Sequence, residues 1–355
     1  MKKVARMTKL SSTLQKHRKL SMFALVVVLI LVAILSLFLG RYSMNFGDVI
    51  SDIAALYSGA LPSIGDSTAL SVIITMRLPR MCFAMLIGAG LSGAGAAFQG
   101  IFKNPMVSPD LLGASAGAGF GAALALLIGF GLVGAHVMGF LFGIFAVFCA
   151  YALSRVVSRS LTGVLTLVLS GIVIANLFQA LIGAVKYMAD PNSTLPEITF
   201  WLMGGLSTNA KLENLPWLFV AFVIGCAGLM CLRWRMNVLA MGDEEALSLG
   251  IDVTKNRLLI IAFATLLTAS ATAMAGMVGW VGLIIPHLAR AVVGSDHKAL
   301  IPASMLLGAA FLLAVDDVCR SIYTTEIPLS IVTAILGVPL FIYLISHMQG
   351  GVKNE

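Results

Sequence analysis

Few residues in this chain could do chemistry, and their spacing points to charge pairing rather than catalysis. Asp316 and Arg320 stand four apart, the spacing of an ion pair along one helix face. Arg77 and Arg80 bracket the tetrapeptide Arg-Leu-Pro-Arg ahead of a stretch rich in glycine and alanine. Asp243, Glu244 and Glu245 suit the positive start of a short helix, and Gly250 suits the position just past its end. Between them, Ala246, Leu247 and Leu249 offer an apolar surface that an exposed loop has no ordinary need of. It reads either as a face for a partner protein or as a short amphipathic helix resting on a membrane.

The other familiar chemistries lack their residues. No His, Cys, Asp or Glu cluster has metal-ligand spacing, and His136, His287 and His347 are isolated in apolar surroundings. The five cysteines, at 82, 149, 226, 231 and 319, contain no C-x-x-C and read as small apolar fillers. No Gly-Lys pair occurs, so the chain has no phosphate-cradling loop of the Walker A kind; if ATP drives it, another subunit binds the ATP. Residues 88–93 satisfy G-x-G-x-x-G, but without the preceding strand and βαβ unit that give this motif its meaning.

The elements that must position these residues are transmembrane. Of the 355 residues, 59% are hydrophobic and 11% charged, with a mean hydropathy of +0.99, against roughly a quarter charged in a soluble domain. The net charge of +7 has no polar domain on which to build a nucleic-acid surface, so it is read as topology. Seven Lys and Arg precede an uncharged run at 21–40, long enough to cross the bilayer and with no clear cleavage site after it. Further charge-free runs cover 81–102, 111–154 with a turn at 129–134, 160–185, 214–232, 258–289, 299–315 and 327–352. The 32-residue run at 258–289 holds Gly276, Gly279, Gly282 and Pro286, and is either one kinked crossing or two. Ten crossings put 17 of the 23 Lys and Arg on the cytoplasmic side, whereas nine would expel Arg290, Lys298 and Lys353. Ten is therefore the expected count. Gly88, Ser92, Ala96 and Gly100 in the second crossing, and Gly113, Gly117 and Gly121 in the third, form stripes that let helix backbones approach closely. Ionisable groups are nearly absent from the middle of any span, which disfavours a carrier coupled to protons or sodium.

Several blocks, in order, resemble the FecCD family of ABC-importer permeases: RLPR at 77–80, FKNPM at 102–106, PDLLGASAGAG at 109–119, FWLMGG at 200–205, the loop from Met241 to Gly250, GLIIPHLAR at 282–290, and EIP at 326–328 with LGVP at 336–339. The resemblance runs from about residue 70 to the carboxyl end. It implies an all-α, polytopic fold of ten transmembrane helices, the type II importer permease fold: a basic cytoplasmic segment at 1–20, one permease domain at 21–347 and a cytoplasmic tail at 348–355. It further implies a second permease subunit, best an identical copy, two cytoplasmic ATP-binding subunits, a substrate-binding protein outside and surrounding lipid. ATP and Mg would belong to the partner ATPase, with no cofactor or metal on this chain. The cargo expected is an iron chelate, ferric siderophore or haem, with cobalamin or molybdate as alternatives; an ion-gradient-driven carrier is the rival class. The chain would lie in the bacterial inner (plasma) membrane with both termini cytoplasmic.

The resemblance also assigns residues. The loop at 237–252 is similar to the helix that couples permease to ATPase, placing Met241, Gly242, Glu244, Ala246, Leu247, Leu249 and Gly250 at that contact. Arg77, Arg80 and Arg320 would face outward and take carboxylates of the binding protein, with Asp316 holding Arg320 until one competes for it. Asn104, Pro105 and Met106 would form part of a cytoplasmic gate, Met standing where relatives have Leu; Pro105 ending the second crossing is the plainer reading of the same residues. Thr162 and Thr166 lie near the other half of that gate without matching it cleanly, Ser330 stands where many relatives have Gly, and the segment from Asp190 to Met203 is an expected outer lid.

Overall fold

The computed structural model describes residues 2–40, 46–58, 67–157, 164–207, 210–323 and 325–350. Arg41, Arg159, Thr162 and the end of the tail from 351 lie outside the described residues. Among the described residues every regular element is helical. The first, α1 (Lys2–Phe38), merges the basic segment and the first apolar run into one continuous helix. Two short helices that no long apolar run announced, α2 (Phe46–Tyr57) and α3 (Thr68–Val72), follow it. A π-helical turn at Ile73–Arg77 then joins α3 to α4 (Leu78–Ile101). Pro79 brings no N–H to the ladder, and the chain meets it with this widened turn, in which the Leu78 N–H reaches back to the Ile73 carbonyl.

Beyond α4 come α5 (Ala114–Leu127), α6 (Gly131–Val157), α7 (Val164–Met188), α8 (Thr194–Met203) and α9 (Leu215–Met241). The chain closes with α10 (Asp243–Ser248), α11 (Val253–Ala275), α12 (Val281–Val293), α13 (His297–Ser321) and α14 (Leu329–Gly350). Seven stretches are long and apolar enough to cross a bilayer, and α5, α12 and the first sixteen residues of α14 are shorter apolar helices, giving ten among the described residues. The long run at 258–289 is therefore two helices. They part at Gly276, whose φ of 73° is left-handed and where a Cβ would lie 2.2 Å from the Trp201 carbonyl oxygen. Only glycine meets both conditions.

The hub is α4, buried along most of its length against α13, α11, α9 and α12. Its small residues explain how. A Cβ on Gly88 would lie 2.2 Å from the Gly308 carbonyl oxygen of α13, and one on Gly95 1.8 Å from the Gly282 carbonyl oxygen of α12. On α5, Gly117 and Gly121 meet the Phe142 and Met138 carbonyls of α6 in the same way. Gly88, Gly95, Gly117 and Gly121 are thus points of backbone contact, the packing mode open to helices in lipid, where apolar side chains gain little by leaving their surroundings. By contrast α1 sits at the rim, with 11% of its apolar window buried, and docks chiefly on α13.

Gly88→Ala is expected to force α4 and α13 apart, destabilising the purified protein in detergent by about 1–3 kcal/mol, the usual cost of overpacking. Gly183→Ala on α7, where nothing lies within 4 Å, serves as the control and should melt at or above the wild-type temperature. Equal melting of the two variants would refute the contact.

Candidate functional site

The residues singled out in the sequence gather at the two ends of the bundle. At the end where α4 stops, Asp243–Ser248 forms α10, and its C-terminus is built as the sequence anticipates. Gly250 has φ 74°, its N–H bonds the Leu247 carbonyl at 2.9 Å and the Ile251 N–H bonds the Ala246 carbonyl at 2.9 Å. That is a Schellman motif, completed by Ala246 and Ile251 entering the same apolar cluster. Ala246 is fully buried, so it anchors α10 to its own subunit and does not contribute to the outward apolar face. The outward set is Met241, Leu247 and Leu249, each at least 60% exposed, with Glu244 exposed beside them.

The acidic start of α10 is tied down as well as aligned with the helix dipole. Asp243 takes two bonds from the buried Arg257 of α11, at 2.9 and 3.2 Å, and lies 4.0 Å from Lys103 just beyond α4. Sequence reasoning passed over Arg257 because a separation of fourteen residues carries no local signal. The Lys103 contact brings the Asn104-Pro105-Met106 loop to the same end as α10. There the helix ends before the proline: Lys103 is left-handed at φ 50°, and the Asn104 Oδ1 accepts the Met106 N–H at 2.9 Å in a local turn. Met106 stands 49% exposed at the tip.

Gly250→Ala tests the α10 design. The space around Gly250 is open, so a methyl there meets no neighbour and the whole cost is the left-handed backbone. Hydrogen exchange at the Ile251 amide should speed up by roughly tenfold, equal to about 1.4 kcal/mol. Gly250→Asn, which tolerates that region better, should exchange more slowly than the alanine variant; the reverse order would contradict the motif.

At the opposite end, where α4 begins, all three arginines join one buried ionic network. Arg80 holds Asp316 with bonds of 2.8, 2.8 and 3.2 Å and Glu326 with bonds of 2.7 and 2.9 Å, bridging α4, α13 and the approach to α14. Arg320 grips Asp317 at 2.5 Å and comes only within 3.9 Å of Asp316. The Asp316–Arg320 ion pair expected from the i, i+4 spacing is present at 3.9 Å, and each partner makes its shorter contacts elsewhere. On α13 the two aspartates point to different neighbours, Asp316 to α4 and Asp317 to α1, and Arg320 follows Asp317.

Two of the arginines also finish α1. Arg320 donates to the Ser36 carbonyl at 2.7 Å, and Arg77 donates to the Leu37 carbonyl. These carbonyls belong to the last turn of α1, which has no intrahelical donors for them, and positive charge suits the negative end of the helix dipole. Ser36 Oγ closes the arrangement by donating to Asp317 at 2.7 Å. None of the three guanidinium groups stands in open solvent: Arg77 is 4% exposed, Arg320 8%, and the Arg80 side chain 13%.

Arg80, Asp316 and Glu326 border a cavity of about 240 Å³ shared with Glu197 and Trp201 of α8. The expected lid segment is stitched into this end. Gly205 N–H bonds the Ala275 carbonyl at 2.9 Å, and the Leu329 N–H bonds the Gly204 carbonyl at 3.0 Å, so α8 is tied to α11 and α14. Its approach turns on Asp190, whose carboxyl accepts the N–H groups of Asn192 and Ser193 at 2.9 and 3.0 Å. These bonds, the Asn192 N–H foremost, hold that carboxyl below its ordinary range.

Comparison with known proteins agrees with this architecture. The profile of the FecCD transport family matches residues 28–347. The molybdate import system permease protein MolB of Haemophilus influenzae is 39% identical over 335 residues, covering 94% of this chain and 97% of that protein. A probable iron chelatin transport system permease protein of Helicobacter pylori is 39% identical over 80% of this chain and 85% of its own length. A solved structure described as an inward-facing conformation of a putative metal-chelate type ABC transporter superposes with a TM-score of 0.80 at 38% identity, over 93% of this chain and 99% of that one.

Proposed function

The chain belongs to the FecCD transport family, and from that premise we propose that it is the membrane-spanning subunit of an importer that carries an iron chelate into a bacterial cytoplasm. Its partners are a second copy of itself, two ATPases that bind ATP and Mg, and an external binding protein. The subunit sits in the plasma membrane with both termini inside. The observation that carries the coupling role is α10, a short helix pinned by Asp243–Arg257 and Ala246 that presents Met241, Leu247 and Leu249 to a partner. ATP-driven movement of the ATPases reaches the permease through that helix, and the loop at Asn104, Pro105 and Met106 beside it gates the inner end. Arg80, with Arg77 and Arg320 behind it, takes a carboxylate of the binding protein.

The cargo reading rests on the apolar character of the outward faces of α7 and α14. Leu165, Leu169 and Leu177 on one, and Ile331, Ile335 and Ile342 on the other, are exposed and carry no charge. A bulky chelate crosses such walls without being held. Molybdate is the second reading, favoured by the end-to-end match with the Haemophilus influenzae permease.

The test is reconstitution with the neighbouring ATPase and binding protein in proteoliposomes, assaying ATP-dependent uptake of ferric siderophore, haem, cobalamin and molybdate in parallel. Uptake of siderophore or haem upholds the reading, and uptake of molybdate alone replaces the cargo while leaving the machine intact. Uptake that survives ATP depletion but collapses with an ion gradient would overturn the class.

A further inference from the structure

At the end of the bundle where α4 stops lies a second cavity, of about 380 Å³, whose wall is unbalanced in charge. Arg18, Lys103 and Arg290 line it, with His297 and Gln99, against one carboxylate, Asp296. That carboxylate is already engaged. It accepts Arg18 at 2.7 Å, Asn237 Nδ2 at 2.7 Å and the Lys298 N–H at 3.0 Å. Burial pushes the Asp296 carboxyl up, but these bonds outweigh it and hold it below the usual carboxylate range, so it stays charged and paired with Arg18.

Arg290 has no such partner. Among the described residues no carboxylate comes within ion-pair distance of it, and its one hydrogen bond runs to Gln99 Oε1 at 3.2 Å. A guanidinium carries five N–H donors and is costly to bury without compensating charge. Gln99 is fixed from behind, since its Nε2 donates to the Leu283 carbonyl at 3.0 Å and the Val107 carbonyl at 3.4 Å. Arg290 is therefore aimed by a rigid amide and left with donors to spare. Lys103, 41% exposed, has only the 4.0 Å approach to Asp243. His297 is committed to Asn237 and offers the cavity no donor. Its Nδ1 bonds Asn237 Oδ1 at 2.8 Å, that oxygen also takes the His297 N–H at 2.8 Å, and Nε2 is left buried without a partner beside Gly100.

We infer that this cavity binds a phosphate-type oxyanion, held by Arg290 and Lys103 with Arg18 at its edge. A tetrahedral oxyanion accepts from a guanidinium fork and an ammonium at once, and charge-assisted bonds of this kind are the strong ones. Two sources carry that chemistry, an acidic phospholipid headgroup and free phosphate. The setting favours the lipid. Arg18 belongs to the rim helix α1, and Leu20 and Phe23, 64% and 66% exposed, continue from it along the apolar surface where an acyl chain would run. The inference is independent of what the protein transports.

The experiment measures the thermal midpoint of the full-length purified protein. One arm adds phosphatidylglycerol or phosphatidylcholine to the micelle, and the other adds inorganic phosphate. Phosphatidylglycerol should raise the midpoint and phosphatidylcholine should not. In Lys103→Gln and in Arg290→Lys, which keeps the charge but loses the fork, the apparent affinity for phosphatidylglycerol should fall roughly tenfold, the worth of one charge-assisted bond. Arg155→Gln, an exposed arginine of α6 outside the cavity, should leave it unchanged. A response to phosphate alone, lost in the same variants, upholds the site and makes the free anion its ligand. No response to either probe, or equal responses in Lys103→Gln and the wild type, overturns the inference.

Discussion

Arg80→Ala is expected to destabilise the folded permease by about 3–5 kcal/mol, the cost of breaking a buried ion pair from one side. Asp316 is 1% exposed and draws its bidentate contact from this guanidinium. Removing it strands a buried carboxylate between helices without the donors that compensate its charge. The measurement is thermal unfolding in detergent beside the yield of folded protein. The double variant Arg80→Met with Asp316→Leu removes both charges, and replacing a buried pair by apolar groups is often neutral. It should therefore melt close to the wild type. That variant also separates the two roles assigned to Arg80: folded but unable to dock the binding protein, it supports the docking proposal; folded and docking normally, it leaves Arg80 a purely structural residue. Wild-type melting of Arg80→Ala would mean that Asp316 does not need its partner, and the buried-network argument would fail.

The second large effect is expected at α10. Changing Leu247 and Leu249 together to aspartate should abolish ATP-dependent uptake while the protein folds as before. Both side chains are about 60% exposed, and surface substitutions away from packed features seldom move stability by more than about 0.5 kcal/mol. At an interface, by contrast, losing a central apolar anchor costs about 2 kcal/mol or more, roughly thirtyfold in affinity. Binding of the ATPase subunit, measured by co-purification and titration, is the direct readout. Ala246 is not an equivalent target, because it is fully buried and a charge there would damage the fold itself. A double variant, Leu247→Asp with Leu249→Asp, that still recruits the ATPase and transports would remove α10 from the coupling path.

What could be read from the sequence was whatever had a local cause. Ten crossings followed from run lengths and charge bias, because the bilayer imposes a fixed length on each apolar segment. Gly250 was legible because a left-handed residue past a helix end has a chemical signature. The same holds for the glycine stripes of α4 and α5. The contacts of the ionic network between helices were not legible. The i, i+4 spacing found the 3.9 Å pair of Asp316 with Arg320, but not that Arg80 reaches Asp316 across 236 residues or that Arg320 holds the aspartate three residues back more closely. Pairing across helices depends on which face each helix turns to its neighbour, and that is a tertiary property. The short helices α2 and α8 escaped for a different reason: neither is long enough to cross a membrane, the one signal that the apolar runs supply.

The way α1 is fastened bears on how the protein is made. With little buried surface along its apolar span, this helix is lashed at the two ends of that span, by Arg18 to Asp296 and by its last carbonyls to Arg77 and Arg320. The partners at 296 and 320 emerge from the ribosome only some 280 residues after the helix they secure. At a synthesis rate of about 5–20 residues per second, α1 waits in the membrane for tens of seconds before either lashing can be tied. Inserted first and fixed last, it is a free-floating helix for most of its own birth. A nascent chain stopped before residue 296 would lack both the Asp296 and the Arg320 ties, leaving α1 the Arg77 contact and its slight packing on α4 and α12.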